Sequence, residues 1–176
     1  MNKSGIDRSR RAFLFGAPAL RPRAMRPPWS LGEMDFAAAC TGCGDCLTAC
    51  PESILKLDAD QLATVDFTQG QNACTFCGAC AESCAEPAFL APEDRNAAAS
   101  WTWRALVKET CLTHEGVMCQ SCKDACGDNA IHFTYGAARV AQPVIDLDLC
   151  TGCGACQAPC PAEAIAFVMT ESTHAA

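Results

Sequence analysis

Sixteen cysteines fall into four runs along the chain, and this division limits what the chain can fold into. The run that begins at Cys150 reads C-x2-C-x2-C-x3-C-P, a spacing typical of chains that wrap a 4Fe-4S cluster. Three thiolates two residues apart can surround one cluster only if the backbone between them turns tightly. The fourth cysteine of such a run binds a second cluster. Each run therefore predicts a partner run elsewhere in the chain.

The other three runs repeat this spacing at fixed intervals. Each cysteine of the second run lies 34 residues after its counterpart in the first run. The last three cysteines of the fourth run lie 34 residues after the last three of the third run. A shift of 76 residues relates the two pairs. The third run differs because seven residues separate Cys111 from Cys119. We interpret this as an insertion of five residues that makes this site the most labile. The intervals predict two lobes, each with eight cysteines.

Crossing of the fourth cysteine to the neighbouring cluster predicts four ligand sets. Set 1 is Cys40, Cys43, Cys46 and Cys84; set 2 is Cys50, Cys74, Cys77 and Cys80; set 3 is Cys111, Cys119, Cys122 and Cys160; set 4 is Cys126, Cys150, Cys153 and Cys156. Sixteen thiolates would hold four 4Fe-4S clusters and leave no iron open to a substrate. The chemistry that remains is one-electron transfer or cluster hand-over. We therefore expect no catalytic residue and no enzymatic activity.

Composition favours a core that contains metal. Leu, Ile, Val and Phe together number 31 of 176 residues, fewer than an ordinary packed core contains. Clusters are expected to replace the missing core, so the metal-free chain should be largely unfolded. A secreted disulfide scaffold and a zinc protein are the alternatives for a cysteine-rich chain. Four tight tetrads, without a complete secretory signal, favour iron-sulfur clusters over both.

Charge separates the first thirty residues from the remainder. Residues 1–30 carry seven Lys or Arg and one Asp, which gives +6, whereas the remainder carries six basic and nineteen acidic residues, which gives -13. An acidic body suits a basic partner surface and argues against nucleic-acid binding. Arg10 and Arg11 look like part of a twin-arginine export signal. The following apolar stretch is short and lacks a small-residue cleavage site, so we expect a retained arm and not a cleaved signal.

The expected fold class is α+β, with two tandem lobes of the two-cluster bacterial ferredoxin type at residues 31–91 and 111–170. Residues 1–30 are the basic arm, and residues 171–176 are a tail. Short helices and hairpins at residues 54–66 and 130–146 are predicted within the lobes, and a strand at 164–168 closes the second. The Ala-rich stretch 96–109 predicts a helix, so residues 92–110 are interpreted as a helical connector. No stretch is long and apolar enough to span a membrane.

These features together resemble a known family. Arg10-Arg11, the segment Arg26-Pro27-Pro28-Trp29-Ser30 and four tetrads, of which the third opens C-x7-C, are similar to the ferredoxin-type NapF proteins of the periplasmic nitrate reductase system. The resemblance implies a cytoplasmic accessory protein with four 4Fe-4S clusters. It also implies contact with the precursor of the molybdenum-containing catalytic subunit before export, for maturation by cluster loading or reduction.

Two other functions stay open at this point. One is a soluble electron-transfer polyferredoxin or a dissociable subunit of a redox enzyme, and the other is a scaffold whose clusters are only structural. Arg10, Arg11 and Trp29 are candidate partner contacts. The alternative for Trp29 is packing against the first lobe.

Overall fold

The computed structural model describes residues 24–69, 73–96, 100–136 and 139–170. The helices in these ranges are α1 (Glu33–Ala39), α2 (Asp45–Ala49), α3 (Ala79–Glu82) and α4 (Ser121–Asp124), with a 3-10 turn at Pro92–Asp94. The strands are β1 (Leu55–Leu57), β2 (Ala63–Val65), β3 (Trp103–Val107), β4 (Ile131–Thr134), β5 (Gln142–Ile145) and β6 (Ile165–Met169). Within the same ranges, no helix combines the length and the apolar character that crossing a membrane requires.

The strands pair into three antiparallel sheets of two strands each. In the first lobe β1 pairs with β2, and in the second lobe β4 pairs with β5. These pairs confirm both predicted hairpins. The third sheet joins β3 to β6, with Trp103 opposite Met169 and Val107 opposite Ile165. Strand β6 confirms the predicted closing strand of the second lobe.

The predicted helical connector at residues 92–110 is wrong. Its only helical piece among the described residues is the 3-10 turn, and the part expected to form the helix contains strand β3. Ala105 lies 3% exposed in β3 and packs with Ile131 and Ile165. The partner strand and the buried face outweigh the helix propensity of an Ala-rich stretch. The second lobe therefore starts at β3, before its first cysteine, and not at residue 111.

The two lobes share a pattern of backbone hydrogen bonds as well as the spacing of their cysteines. Beside the β3–β6 sheet, the amide of Lys108 donates to the carbonyl oxygen of Ala164 at 2.7 Å. The amide of Leu31 makes the same bond to Ala88 in the first lobe, at 3.0 Å, next to an isolated bridge between Ser30 and Phe89. The segment that ends at Ser30 thus takes the place in the first lobe that β3 takes in the second.

Residues 25–30 of the predicted arm therefore belong to the folded body. Arg26 donates to the carboxylates of Glu33 and Asp58, at 2.6 and 2.8 Å, and to the carbonyl oxygen of Ala63. The indole of Trp101 donates to the carbonyl oxygen of Arg26 at 2.9 Å. These bonds tie the Arg26-Pro27-Pro28-Trp29-Ser30 segment to the first hairpin and to the residues that lead into β3.

The expected partner contact at Trp29 is also wrong. Trp29 is 6% exposed, and its indole N–H donates to the carbonyl oxygen of Asn96 at 2.8 Å. Its ring meets Phe76 edge-on. The packing alternative describes this side chain, because a buried and hydrogen-bonded indole has no surface to offer. Arg10 and Arg11 lie outside the described residues.

Cysteines form part of every lobe's interior. In the first lobe Phe36, Leu55 and Ala63 pack with Cys46 and Cys80. In the second lobe Ala105, Ile131 and Ile165 pack with Cys156. A further apolar cluster contains Met25, Ile54, Phe67 and Trp101 and connects the two lobes. The few apolar side chains thus close around the thiols instead of forming a separate core.

Candidate metal centres

Set 1 draws its thiols from two runs of the first lobe. Cys40 ends α1, Cys46 lies in α2, and Cys84 comes shortly after α3. Burial raises the pKa of Cys46 to about 11, and the thiols of Cys40, Cys43 and Cys84 raise it further. The structure therefore brings together the three consecutive cysteines of the first run and the last cysteine of the second.

Set 2 lines a small cavity, with the wall formed in part by Ile54, Leu55 and Phe76. Burial raises the pKa of Cys74 to about 12, against the hydrogen bond from the amide of Phe76 to the Cys74 sulfur at 3.4 Å. The other thiols that raise the pKa of Cys74 belong to the same set: Cys50, Cys77 and Cys80. Here too one thiol, that of Cys50, comes from the other run.

Set 3 has the same crossed arrangement in spite of its irregular spacing. Burial raises the pKa of Cys122 to about 11, and its neighbouring thiols are those of Cys111, Cys119 and Cys160. Cys160 belongs to the fourth run. Its sulfur accepts a hydrogen bond from the amide of Ala164 at 3.2 Å.

Set 4 lines a second small cavity, together with Ile131 and Phe167. All four of its cysteines border this cavity: Cys126, Cys150, Cys153 and Cys156. Burial raises the pKa of Cys156 to about 12, with further increases from Cys153, Cys150 and Cys122. The sulfur of Cys126 accepts a bond from the amide of Ala130 at 3.3 Å, the counterpart of the bond at Cys160.

The segment that leads to the second cysteine has nearly the same length in the first and third runs. The interpretation of the third run as containing a five-residue insertion is therefore wrong. Leu31 and Lys108 make equivalent backbone bonds, and they precede the second cysteine of their runs by 12 and 11 residues respectively. The first cysteine is what differs, since Cys40 follows α1 whereas Cys111 lies near the start of the corresponding segment. No loop has been added, and the ligand has moved along a segment of nearly constant length.

Thr113 anchors the turn that follows Cys111. The side chain is 2% exposed, and its hydroxyl lies 3.3 Å from the Cys111 sulfur and donates to Gln142 at 3.2 Å. The Gln142 amide donates in return to the carbonyl oxygen of Thr113 at 2.8 Å. Two partly buried hydrogen bonds to β5 therefore fix a ligand that the sequence suggested was loosely held. Neither residue was predictable from the sequence, because a Thr two residues from a cysteine carries no distinctive signal.

The turn after the fourth cysteine is the same with or without proline. Ser53, Asn129 and Glu163 each follow that cysteine by three residues, and each has a positive φ, of 53°, 52° and 47°. Each amide bonds the cysteine carbonyl at 3.1 to 3.2 Å. Gly127 replaces the proline in one of these turns without changing it.

The donor set fits iron-sulfur clusters. All sixteen cysteines are free, so none is committed to a disulfide. Among the residues that the structure describes, no three Cys, His, Asp or Glu side chains converge closely enough for a single ion. The thiols instead come together in groups of four, which is the donor set of a cubane cluster. Backbone amides commonly donate hydrogen bonds to the sulfurs of such clusters.

Comparison with known proteins agrees with this donor chemistry. Residues 39–112 and 117–164 match the 4Fe-4S dicluster domain. Ferredoxin-type protein NapF of Escherichia coli K12 is 38% identical over 160 residues, which is 91% of this chain and 94% of that protein. NapF of Haemophilus influenzae is 41% identical over 141 residues, 80% of this chain and 77% of that protein. Methylamine utilization ferredoxin-type protein MauM of Methylorubrum extorquens is 34% identical over 161 residues, 85% and 73% respectively.

Two dicluster domains and sixteen cysteines together give the cofactor content of the chain, which is four 4Fe-4S clusters. The similarity to these two NapF proteins covers 80% or more of this chain and most of the relatives' own length. The chain therefore belongs to the NapF family of ferredoxin-type iron-sulfur proteins.

Proposed function

We propose that this chain is a cytoplasmic accessory protein for a periplasmic nitrate reductase. It acts on the precursor of the molybdenum-containing catalytic subunit before export and takes part in its maturation, by loading or reducing a cluster. The observation that carries the proposal is the similarity to NapF over 91% of the chain. The acidic body, of charge -13 outside residues 1–30, supports docking to a basic partner surface.

The four sets serve as the ligand sets in this proposal. Each set draws three cysteines from one run and one from another, as the clusters of two-cluster ferredoxins do. A bound 4Fe-4S cluster supplies one-electron transfer. The chain's own contribution is to hold most of the thiols in buried or partly buried positions, to donate amide hydrogen bonds to some of their sulfurs and to leave no ligand position for a substrate. These features support a non-enzymatic role.

Anaerobic capture of the catalytic precursor tests the partner. The tagged full-length chain, loaded with clusters, is mixed with the catalytic subunit before and after removal of its export signal. We expect capture of the precursor and little capture of the processed subunit, because the proposal places the contact before export. Equal capture of both forms, or capture of neither, would overturn the proposed role.

Electron transfer is the second candidate function, and a particular contact favours it. The Cys80 thiol of set 2 is within electrostatic range of Cys46 of set 1, and Cys156 of set 4 is within range of Cys122 of set 3. Neighbouring sites suit the passage of electrons. The MauM similarity also indicates that this architecture occurs in a protein named for a different system.

Activation of the catalytic subunit separates the two functions. Protein with reducible clusters is compared with protein held in a redox state that cannot donate electrons. An electron carrier activates only in the first form, as does a maturation partner that reduces a cluster, whereas a maturation partner that loads a cluster or acts through docking activates in both. The measurement is nitrate reductase activity of the subunit after each treatment.

A further inference from the structure

The lobes touch through the backbone of two predicted ligands. The amide of Cys74, in set 2, donates to the carbonyl oxygen of Cys153, in set 4, at 2.7 Å. The second and third runs are neighbours in sequence, but this bond joins the second run to the fourth. Order along the chain therefore does not give the order of the sites in space.

Aromatic side chains pack around this bond. Phe67 of the first lobe contacts Phe167 of β6, with ring centroids 5.1 Å apart, and meets Trp101 edge-on. The Phe67 ring lies so close to Gly154 that a β-carbon at Gly154 would overlap it. Gly154 directly follows Cys153, so the loop of set 4 is shaped to receive a ring from the other lobe.

On the first-lobe side of this contact, Phe76 adopts an unfavourable backbone conformation. It lies between Cys74 and Cys77 with φ 52°, at the position where the first and fourth runs have Gly42 and Gly152, with φ 70° and 76°. A left-handed backbone disfavours a bulky side chain, and strain of this kind persists where other contacts offset it. The Phe76 ring packs on Trp101, at 5.2 Å between centroids, and edge-on against Trp29.

We infer that Cys74, Cys153, Phe67, Phe76 and Gly154 form an interlobe contact that makes sets 2 and 4 the neighbouring metal sites across the lobes. Within each lobe, set 1 adjoins set 2 and set 3 adjoins set 4. The spatial order of the sites is therefore 1, 2, 4, 3, and sets 1 and 3 are the two ends. The inference rests on the ligand sets proposed above and not on any partner.

Magnetic interaction between reduced clusters tests this order directly. Two full-length double variants are compared by EPR: Cys40→Ser with Cys111→Ser retains sets 2 and 4, and Cys40→Ser with Cys150→Ser retains sets 2 and 3. Each should contain about eight irons per chain, for two clusters of four. We expect spin-spin broadening in the first variant and isolated signals in the second. Equal or stronger interaction in the second would overturn the inference.

Hydrogen exchange on the intact cluster-loaded protein gives a test that needs no ligand removal. The Cys74 amide should exchange slowly in the unmodified chain, because it is bonded across the lobes. In Phe76→Gly we expect iron content to be unchanged, since glycine occupies this position in two other runs, and exchange at Cys74 to be about tenfold faster or more. Rapid exchange at Cys74 in the unmodified chain would contradict the interlobe contact.

A pair of glycine variants separates the contact from backbone strain. Gly154 and Gly44 each follow the second cysteine of a run, with φ of 90° and 84°. A β-carbon at Gly154 meets Phe67, whereas one at Gly44 meets nothing within 4 Å. Gly154→Ala should accelerate exchange at Cys74, and Gly44→Ala should not. Equal acceleration in both would assign the effect to strain and overturn the inference. None of these readouts involves nitrate reductase, so failure of precursor capture leaves them unaffected.

Discussion

Thr113 shows how one side chain can hold a ligand that its spacing would leave free. Cys111 lies seven residues from the next cysteine of its run, but Thr113 is buried beside it and bonded to Gln142. The hydroxyl is also 3.3 Å from the Cys111 sulfur. Once iron has displaced the thiol proton, that sulfur can only accept a hydrogen bond, so the Cys111 sulfur and the side-chain oxygen of Gln142 compete for the single hydroxyl proton of Thr113.

Replacement of Thr113 by valine should weaken the site at set 3. Thr113→Val keeps the shape but removes the hydroxyl, so the Cys111 sulfur and the side-chain oxygen of Gln142 lose the one donor for which they compete. We expect faster loss of one cluster, about four of the irons, during exposure to a chelator. Thr151→Val is the matched control, since Thr151 also lies beside the first cysteine of a run but its hydroxyl bonds Asp128 at the surface. Identical rates of iron loss in both variants would contradict this role.

Arg26 is a second residue whose effect depends on burial. Its side chain is 10% exposed and pairs with Glu33 and Asp58, whose side chains are 40% and 21% exposed. Burial tends to lower the pKa of Arg26, but the two carboxylates outweigh it and the pKa is raised. Hydrogen bonds from the Leu62 amide and from Arg26 likewise outweigh burial at Asp58 and hold its pKa below the usual value.

Removal of the Arg26 charge should cost more than removal of an exposed one. Arg26→Met leaves two carboxylates unpaired, and we expect a loss of about 2 kcal/mol, less than for a fully buried pair because Glu33 remains hydrated. Lys56→Met breaks the more exposed pair with Asp66 and should cost less than about 1 kcal/mol. The measurement is the denaturant midpoint for loss of cluster absorbance under anaerobic conditions. Equal midpoints for the two variants would show that Arg26 is not an anchor.

At the scale of elements, residues 24–30 act as part of the first lobe. Trp29 is the clearest test, because a partner contact and an internal contact predict opposite results. Trp29→Ala should destabilise the protein by about 3 to 5 kcal/mol, as for other buried aromatic residues. Trp29→Phe should cost about 1 kcal/mol, for the lost bond to the Asn96 carbonyl. A stable Trp29→Ala variant that fails only to capture the precursor would restore the partner-contact interpretation.

Elements fixed by local patterns could be predicted from the sequence, and those fixed by distant partners could not. The hairpin at β1 and β2 follows from alternating apolar residues around Asp58-Ala59-Asp60, and it was found. Strand β3 depends on pairing with β6, at the far end of the lobe. Its short sequence lies beside an Ala-rich stretch with helix propensity, so local composition predicted a helix. The basic charge of residues 1–30 likewise led to the assignment of Trp29 to a separate arm, although Trp29 packs on the first lobe.

The same distinction between local and distant signals applies to the residues of the candidate sites. Cysteine spacing and the crossing rule were enough to propose all four ligand sets. The residues that support them, Thr113, Gln142, Phe67 and Phe76, act through contacts between segments that are remote in sequence. Phe76 did carry a signal that was overlooked, because it replaces a glycine found at the same place in the first and fourth runs. A bulky residue at a left-handed position indicates a contact that offsets the strain.

In the molecule as a whole, folding depends on the charge state of the buried cysteines. Without metal, burial of these side chains as charged thiolates is unfavourable. Burial raises the pKa of Cys74, Cys80 and Cys156 to about 12, so these thiols hold their protons at neutral pH when no iron is bound. Iron displaces those protons and supplies the positive charge that the buried sulfurs need. Each lobe otherwise closes around only a few apolar side chains. Folding and cluster binding should therefore be one process.

Small-angle scattering during anaerobic removal of iron tests this claim most directly. The loaded protein should begin with about 16 irons per chain. As a chelator removes them, the radius of gyration should rise from roughly 16 Å, the value for a compact chain of 176 residues, toward roughly 45 Å, the value for an unfolded one. A chain that stays near roughly 16 Å after all iron is gone would contradict the claim that metal-bound thiolates replace its core.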